Sequence, residues 1–148
     1  MSENNIIVSK MLEQKIQDTR ELIALENSKR SDKQWEYDRN KQKISRLEVV
    51  KSVLETYLEN AADKFSLFIK YNENTDNFAD WSGSKYNKIK DNINDVVLIQ
   101  YANYVLQIDE ARESVNGEIK RLEKQNEKLN GEILYIDKLV EFIKGYGD

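Results

Sequence analysis

An all-α fold, arranged as a long antiparallel two-helix hairpin of coiled-coil character, is predicted by three features of this 148-residue sequence. Proline is absent and there are only five glycines, so helices meet few interior breakers. Apolar residues recur every three or four positions through two long stretches, which is the helical template. Between those stretches lies a segment crowded with Asn, Asp, Thr, Ser and Gly that has no such period and marks a loop.

The first helix is predicted over about 5–71. Its apolar positions are Ile7, Met11, Leu12, Ile16, Leu22, Ile23 and Leu25, then Trp35, Ile44, Leu47, Val50, Leu54, Tyr57, Leu58, Ala61, Phe65, Phe68 and Ile69. The stretch between, Glu26 to Gln34, contains no apolar residue, and Ser31-Asp32-Lys33-Gln34 has capping-box spacing. Either the helix kinks or restarts over 26–34, or it continues with that part solvated on all sides. Glu26 and Arg30, four apart, favour continuation. The expectation is one long helix, with any bend placed there.

The loop is predicted over about 72–83, and Ser82 or Ser84 can cap the next helix. That second helix is predicted over about 84–144. Ile89, Ile93, Val97, Tyr101, Tyr104, Ile108, Ala111, Val115, Ile119, Leu122, Leu129, Ile133, Ile136, Val140 and Ile143 keep the helical period along it. Gly145 and Gly147 close it. Two helices of this length joined by a short loop fold back on each other, so 1–148 reads as a single helical-hairpin domain.

Two details of the second helix bear on pairing. Asn126 falls on the apolar stripe; such a residue can fix register, but the simpler expectation is that it sits wet at the seam's edge. The tetrapeptide Asn-Gly-Glu-Ile occurs at 116–119 and again at 130–133. Asn-Gly usually marks a hairpin turn, yet the flanks keep the helical period, so both glycines are read as helical. Each then costs about 0.5–1 kcal/mol relative to alanine. They either admit a close neighbour or are tolerated weak spots, and the second is the expectation.

The stripe is too broad for one seam. Ile6-Ile7, Leu22-Ile23, Val49-Val50, Val53-Leu54, Val96-Val97, Leu98-Ile99 and Leu139-Val140 are adjacent apolar pairs, and neighbours on a helix lie about 100° apart. A broadened stripe on a hairpin predicts a helical partner. The residues singled out for such contact are Tyr57, Val97, Tyr101, Tyr104, Ile108, Val115 and Leu122, the tyrosines because an apolar body with a polar tip suits an interface.

Composition narrows the chemistry. With 39% hydrophobic and 34% charged residues and a mean hydropathy of -0.76, the chain has the profile of a long helix or coiled coil. Cysteine and histidine are both absent, which removes disulfides, thiolate chemistry, the commonest neutral-pH base and the commonest metal ligand. The remaining Asp, Glu, Lys and Tyr form no clustered carboxylate motif and no Gly-rich phosphate loop. No enzyme activity, cofactor or metal is therefore expected. A net charge of -4 with interspersed signs argues against nucleic acid. No apolar run is long enough to span a membrane, and the first residues lack a leader's basic and apolar regions. The expectation is a cytoplasmic protein, exported, if at all, with a partner by a leaderless route.

Trp81-Ser82-Gly83 stands in the predicted loop between the two helices. Gly83 supplies freedom for the reversal, and Trp81 either closes the tip of the seam or stays out as an anchor. This tripeptide, so placed, resembles the WxG signature of the WXG family of type VII secretion. The chain is longer than the usual member and is most similar to the WxG-containing helical partners of LXG toxins in Gram-positive bacteria. The resemblance spans the chain in architecture but rests on Trp81 and Gly83 alone in specific residues. It implies that the hairpin binds the N-terminal helical domain of a toxin, or another small WxG-like protein, and supports its export. It also implies that Trp81 and Gly83 belong to the targeting turn, with a contact to the secretion ATPase. The family's second motif, a tyrosine after the second helix followed four positions later by Asp or Glu, is missing: no tyrosine or phenylalanine has an acid there, and Tyr135, for example, is followed by Leu139. The partner would then carry that signal. Self-association of the lone chain is a further expectation, and a coiled-coil scaffold or tether unrelated to secretion is the alternative.

Overall fold

Helix accounts for almost all of the computed structural model, which describes residues 2–75 and 84–147. Helix α1 runs Glu3–Thr75, α2 runs Ser84–Asn92, and α3 runs Leu98–Gly147, with a π-helical turn at Ile93–Val97 joining α2 to α3. No strand occurs among the described residues. The protein is an all-α helical hairpin. Trp81 and Gly83, with the rest of the predicted turn, lie outside the described residues.

The stretch over 26–34 neither restarts the chain nor caps a new helix: α1 is continuous through it. The reason lies in the pairing. Residues that turn inward follow a strict alternation of three and four along both helices, the 3.5-residue period of coiled coils. On α1 these are Ile23, Glu26, Arg30, Lys33, Tyr37, Asn40, Ile44, Leu47, Lys51, Leu54, Leu58, Ala61 and Phe65. On α3 they are Leu98, Tyr101, Val105, Ile108, Arg112, Val115, Ile119, Leu122, Asn126, Leu129, Ile133, Ile136, Val140 and Ile143. All are buried or half-buried. Polar residues at 26, 30 and 33 thus occupy inward positions, and Arg30 and Lys33 are held by cross-helix partners, so the helix gains nothing by breaking.

The chain divides into two compact units, residues 1–44 with 121–148, and residues 45–120. In the first, α1 and α3 run antiparallel: Arg30 meets Asp137, Lys33 meets Glu132, and Asn40 meets Asn126. Six side chains of α3 form its core, namely Leu122, Leu129, Ile133, Ile136, Val140 and Asn126, and Leu122 is the most enclosed at 1% exposed. In the second unit the direction is again antiparallel, with Lys51 donating to Asn116 at 3.0 Å and the Phe65 and Tyr101 rings stacked at 5.6 Å. Ala61, Ile108 and Ile119 are its buried residues.

The π turn corrects the predicted stripe. Ile89, Ile93, Val97 and Tyr101 are spaced by fours, and each such step overruns a 3.6-residue helix by about 40°. The wider turn takes up one residue of chain, so the seam is joined at Leu98 and Val97 is left exposed. Trp35, Val50, Tyr57 and Tyr104, also placed on the stripe by spacing, are exposed as well.

Gly117 and Gly131 project from α3 opposite its seam, and a Cβ at either would meet nothing within 4 Å. The close-neighbour role therefore finds no occupant within the described residues. Gly131→Ala is expected to raise unfolding free energy by about 0.5–1 kcal/mol, whereas Leu122→Ala should lower it by about 2–5 kcal/mol. Urea titrations monitored by circular dichroism read both, and equal effects would overturn the seam assignment.

Candidate protein-interaction interface

The described residues contain no group of three or more acidic, histidine or cysteine side chains able to hold a metal ion. Nor is any described helix long and apolar enough to cross a membrane. Apolar side chains are exposed in both units, in the first from Ile6 to Leu25 on α1, where Leu12, Ile16 and Leu22 line a groove with Phe142 and Ile143 of α3.

In the first unit the seam carries a polar clasp. Asn40 and Asn126 are 4% and 8% exposed. The Asn40 Nδ2–H donates to Asn126 Oδ1 at 3.0 Å, and the Asn126 Nδ2–H donates to the Tyr37 carbonyl at 3.2 Å. The expectation of a wet, peripheral Asn126 is therefore corrected: another helix covers it, and its amide is satisfied on both sides. Asn40 escapes sequence reasoning because its immediate neighbours on α1 are polar; the only clue is its spacing from Tyr37 and Ile44.

Beside the clasp, Arg30 Nε–H donates to Asp137 at 2.5 Å and Lys33 Nζ–H donates to Glu132 at 2.6 Å. The Arg30 pKa is pushed further up by its hydrogen bond to Asp137, and the Glu132 carboxyl is held below its ordinary value by its hydrogen bond to Lys33. Gln125 donates to Glu36 at 2.8 Å on the flank. Arg30 and Lys33 are half-buried, and their charged heads meet Asp137 and Glu132 of α3.

Trp35 points away from the seam, 64% exposed, with the Arg39 guanidinium 5.2 Å from its ring centre. A shallow groove beside it is lined by Asp32, Glu36, Lys43, Arg121 and Gln125, a mixture of charges with Leu122 beneath. That mixture selects no particular ligand.

The second unit exposes apolar residues among charged ones. On α1, Val50, Val53 and Tyr57 fall three and four apart on one stripe, and on α3, Val97 and Tyr104 fall seven apart on another. In antiparallel pairs the positions just before the seam's first heptad position share one side, as the Glu36–Gln125 bond of the first unit illustrates. Val50, Tyr57, Val97 and Tyr104 all hold that position, so they form one flank. Tyr101 links flank to seam: its ring stacks on Phe65 within the seam and lies 6.3 Å from Tyr104 outside it.

The contact candidates therefore separate. Tyr57, Val97 and Tyr104 stand exposed, Tyr101 and Val115 are half-buried, and Ile108 and Leu122 are already covered by α1. No family model, curated protein or solved structure matches this chain.

Replacing both Asn40 and Asn126 by Leu should raise the melting temperature but permit alternative registers or assemblies, seen as several species in light scattering. Replacing Asn126 alone should destabilise by about 1–3 kcal/mol, because Asn40 loses its partner. A second expected outcome concerns pH. A carboxyl depressed in the folded state stabilises above its unfolded pKa, and that contribution disappears as pH falls through the folded value. Wild type and Glu132→Gln should differ in melting temperature at neutral pH and converge below pH 4.5, the ordinary value for this carboxyl.

Proposed function

We propose that this protein is a helical partner and targeting factor, which binds the N-terminal helical domain of a type VII secretion substrate of the LXG-toxin class and supports its export. The observation that carries the reading is the apolar flank of the 45–120 unit. Val50, Val53, Tyr57, Val97 and Tyr104 present an apolar face about as long as a helical contact requires, left open by the intrachain seam. An amphipathic helix laid along this flank covers it with a ridge of every third and fourth residue. The hairpin needs no catalytic group or cofactor for such work. Trp81-Ser82-Gly83 supports the secretion context, as the sequence resemblance implies, with Trp81 and Gly83 acting in the targeting turn and the secretion ATPase as the receptor.

Co-expression with the N-terminal helical domain of an LXG-class toxin tests the reading. A stable heteromeric complex is expected, and Tyr57→Lys should weaken it at least tenfold, as buried aromatic anchors do when replaced by a charge. Trp81→Ala should reduce export more than complex formation. Equal loss of both would make the tryptophan structural, and no complex at all would sink the proposal.

A further inference from the structure

The stripe that α1 turns to the seam of the first unit continues beyond its pairing with α3. Asn40 lies opposite Asn126, so in antiparallel register Gly147, 21 residues on, falls opposite Thr19, 21 residues back. Ile23, Thr19, Ile16 and Leu12 keep the alternation of three and four across that point. Ile23 and Thr19 are half-buried, whereas Ile16 and Leu12 are exposed. From Glu3 to Asp18, α1 extends about 24 Å past the pairing at 1.5 Å per residue.

A groove opens where the pairing gives way. Leu12, Ile16, Leu22 and Ile23 line it from α1, and Phe142 and Ile143 close it from α3. Its charges have one sign. Lys15, Arg20 and Lys144 stand around it, and no acid among the described residues lines it. Asp18 and Glu21 of the same stretch accept hydrogen bonds from Gln14 and Gln17 instead. None of the three cations makes an ion pair among the described residues.

We infer that this groove takes an acidic amphipathic helix of another protein, which continues the coiled coil where α3 leaves α1 uncovered. The site is separate from the 45–120 flank and does not rest on the reading of that flank. Register selects a helix, because a stripe spaced by threes and fours is filled by a partner of the same spacing. Charge selects acids. Lys15 precedes Ile16 and Arg20 follows Thr19, so the two cations stand on opposite edges of the stripe. Glu or Asp on both edges of the incoming helix meets them, and a basic helix is repelled at both. A second copy fits badly. The stripe of α1 goes on to Ser9 and Asn5, so two antiparallel copies filling each other's open stretch set Ser9 against Leu12 and Asn5 against Ile16. That pairing also brings no acid to Lys15 or Arg20.

Fluorescence anisotropy of a labelled helical peptide, titrated with the full chain, tests this. The peptide is about 16 residues long to match the open stretch, with Leu at every third or fourth position and Glu on both edges. A counterpart carries Lys in place of each Glu. The Glu peptide is expected to bind with a dissociation constant on the order of micromolar, and the Lys peptide at least tenfold more weakly. Ile16→Lys should weaken the Glu peptide about tenfold or more. Lys15→Glu combined with Arg20→Glu should invert the preference between the peptides, which a loss of folding cannot do. Tyr57→Lys, in the other unit, should change neither affinity, so this site and the 45–120 flank are judged apart. No binding of the Glu peptide, equal binding of both, or a loss caused by Tyr57→Lys and not by Ile16→Lys overturns the inference. So does binding to phosphatidylglycerol vesicles through Lys15 and Arg20 without any binding of peptide, or a dimer of the chain that Ile16→Lys abolishes.

Discussion

The two long helices share a period, and the second supplies most of the hydrophobic force. Along 121–148, α3 offers Leu122, Leu129, Ile133, Ile136 and Val140 to the seam, while the facing part of α1 answers with Glu26, Arg30, Lys33, Tyr37 and Asn40. Only a helix that keeps its 3.5-residue phase can bring those polar side chains into line with an apolar stripe. These side chains are half-buried or buried, and the heads of Arg30, Lys33 and Asn40 find Asp137, Glu132 and Asn126. The continuity of α1 and the direction of the pairing both come from this constraint.

The arrangement exchanges some stability for definition. Leucine at 26, 30, 33 and 40 would bury more apolar surface, but a uniformly apolar seam slides or recruits extra helices. The Asn40–Asn126 pair penalises any register that leaves an amide without a partner, because an unmet buried hydrogen-bonding group costs more than a met one contributes. The ion pairs at its side are half-exposed and act mainly on orientation, since such pairs add little net stability.

The 45–120 unit obeys the opposite logic. Its seam is more apolar on α1, with Leu47, Leu54, Leu58, Ala61 and Phe65, and its outer flank is apolar too. The π turn at Ile93–Val97 contributes directly, because by absorbing one residue it gives the seam to Leu98 and turns Val97 outward. The seam of one unit is thus fixed by a polar clasp and that of the other by apolar packing, while both units leave large apolar side chains exposed, Ile6 to Leu25 on α1 in the first and Val50, Tyr57, Val97 and Tyr104 in the second.

Helix content, the antiparallel hairpin and the start of α2 at Ser84 were legible from the sequence, because helical period and the absence of proline are local properties that survive in any environment. The apolar excess beyond a single seam was legible for the same reason: adjacent pairs such as Val96-Val97 cannot both face inward on any helix. What the sequence could not settle was which member of each pair turns inward, since that depends on the phase of the partner helix. Only the tertiary structure put Val97 and Tyr104 outside, Leu98 inside, Trp35 on an outer face and Asn126 under cover. The polar stretch at 26–34 shows the cause most clearly. Its residues look solvated when read alone, and Arg30 and Lys33 become seam residues once α3 lies opposite and provides a carboxylate for each.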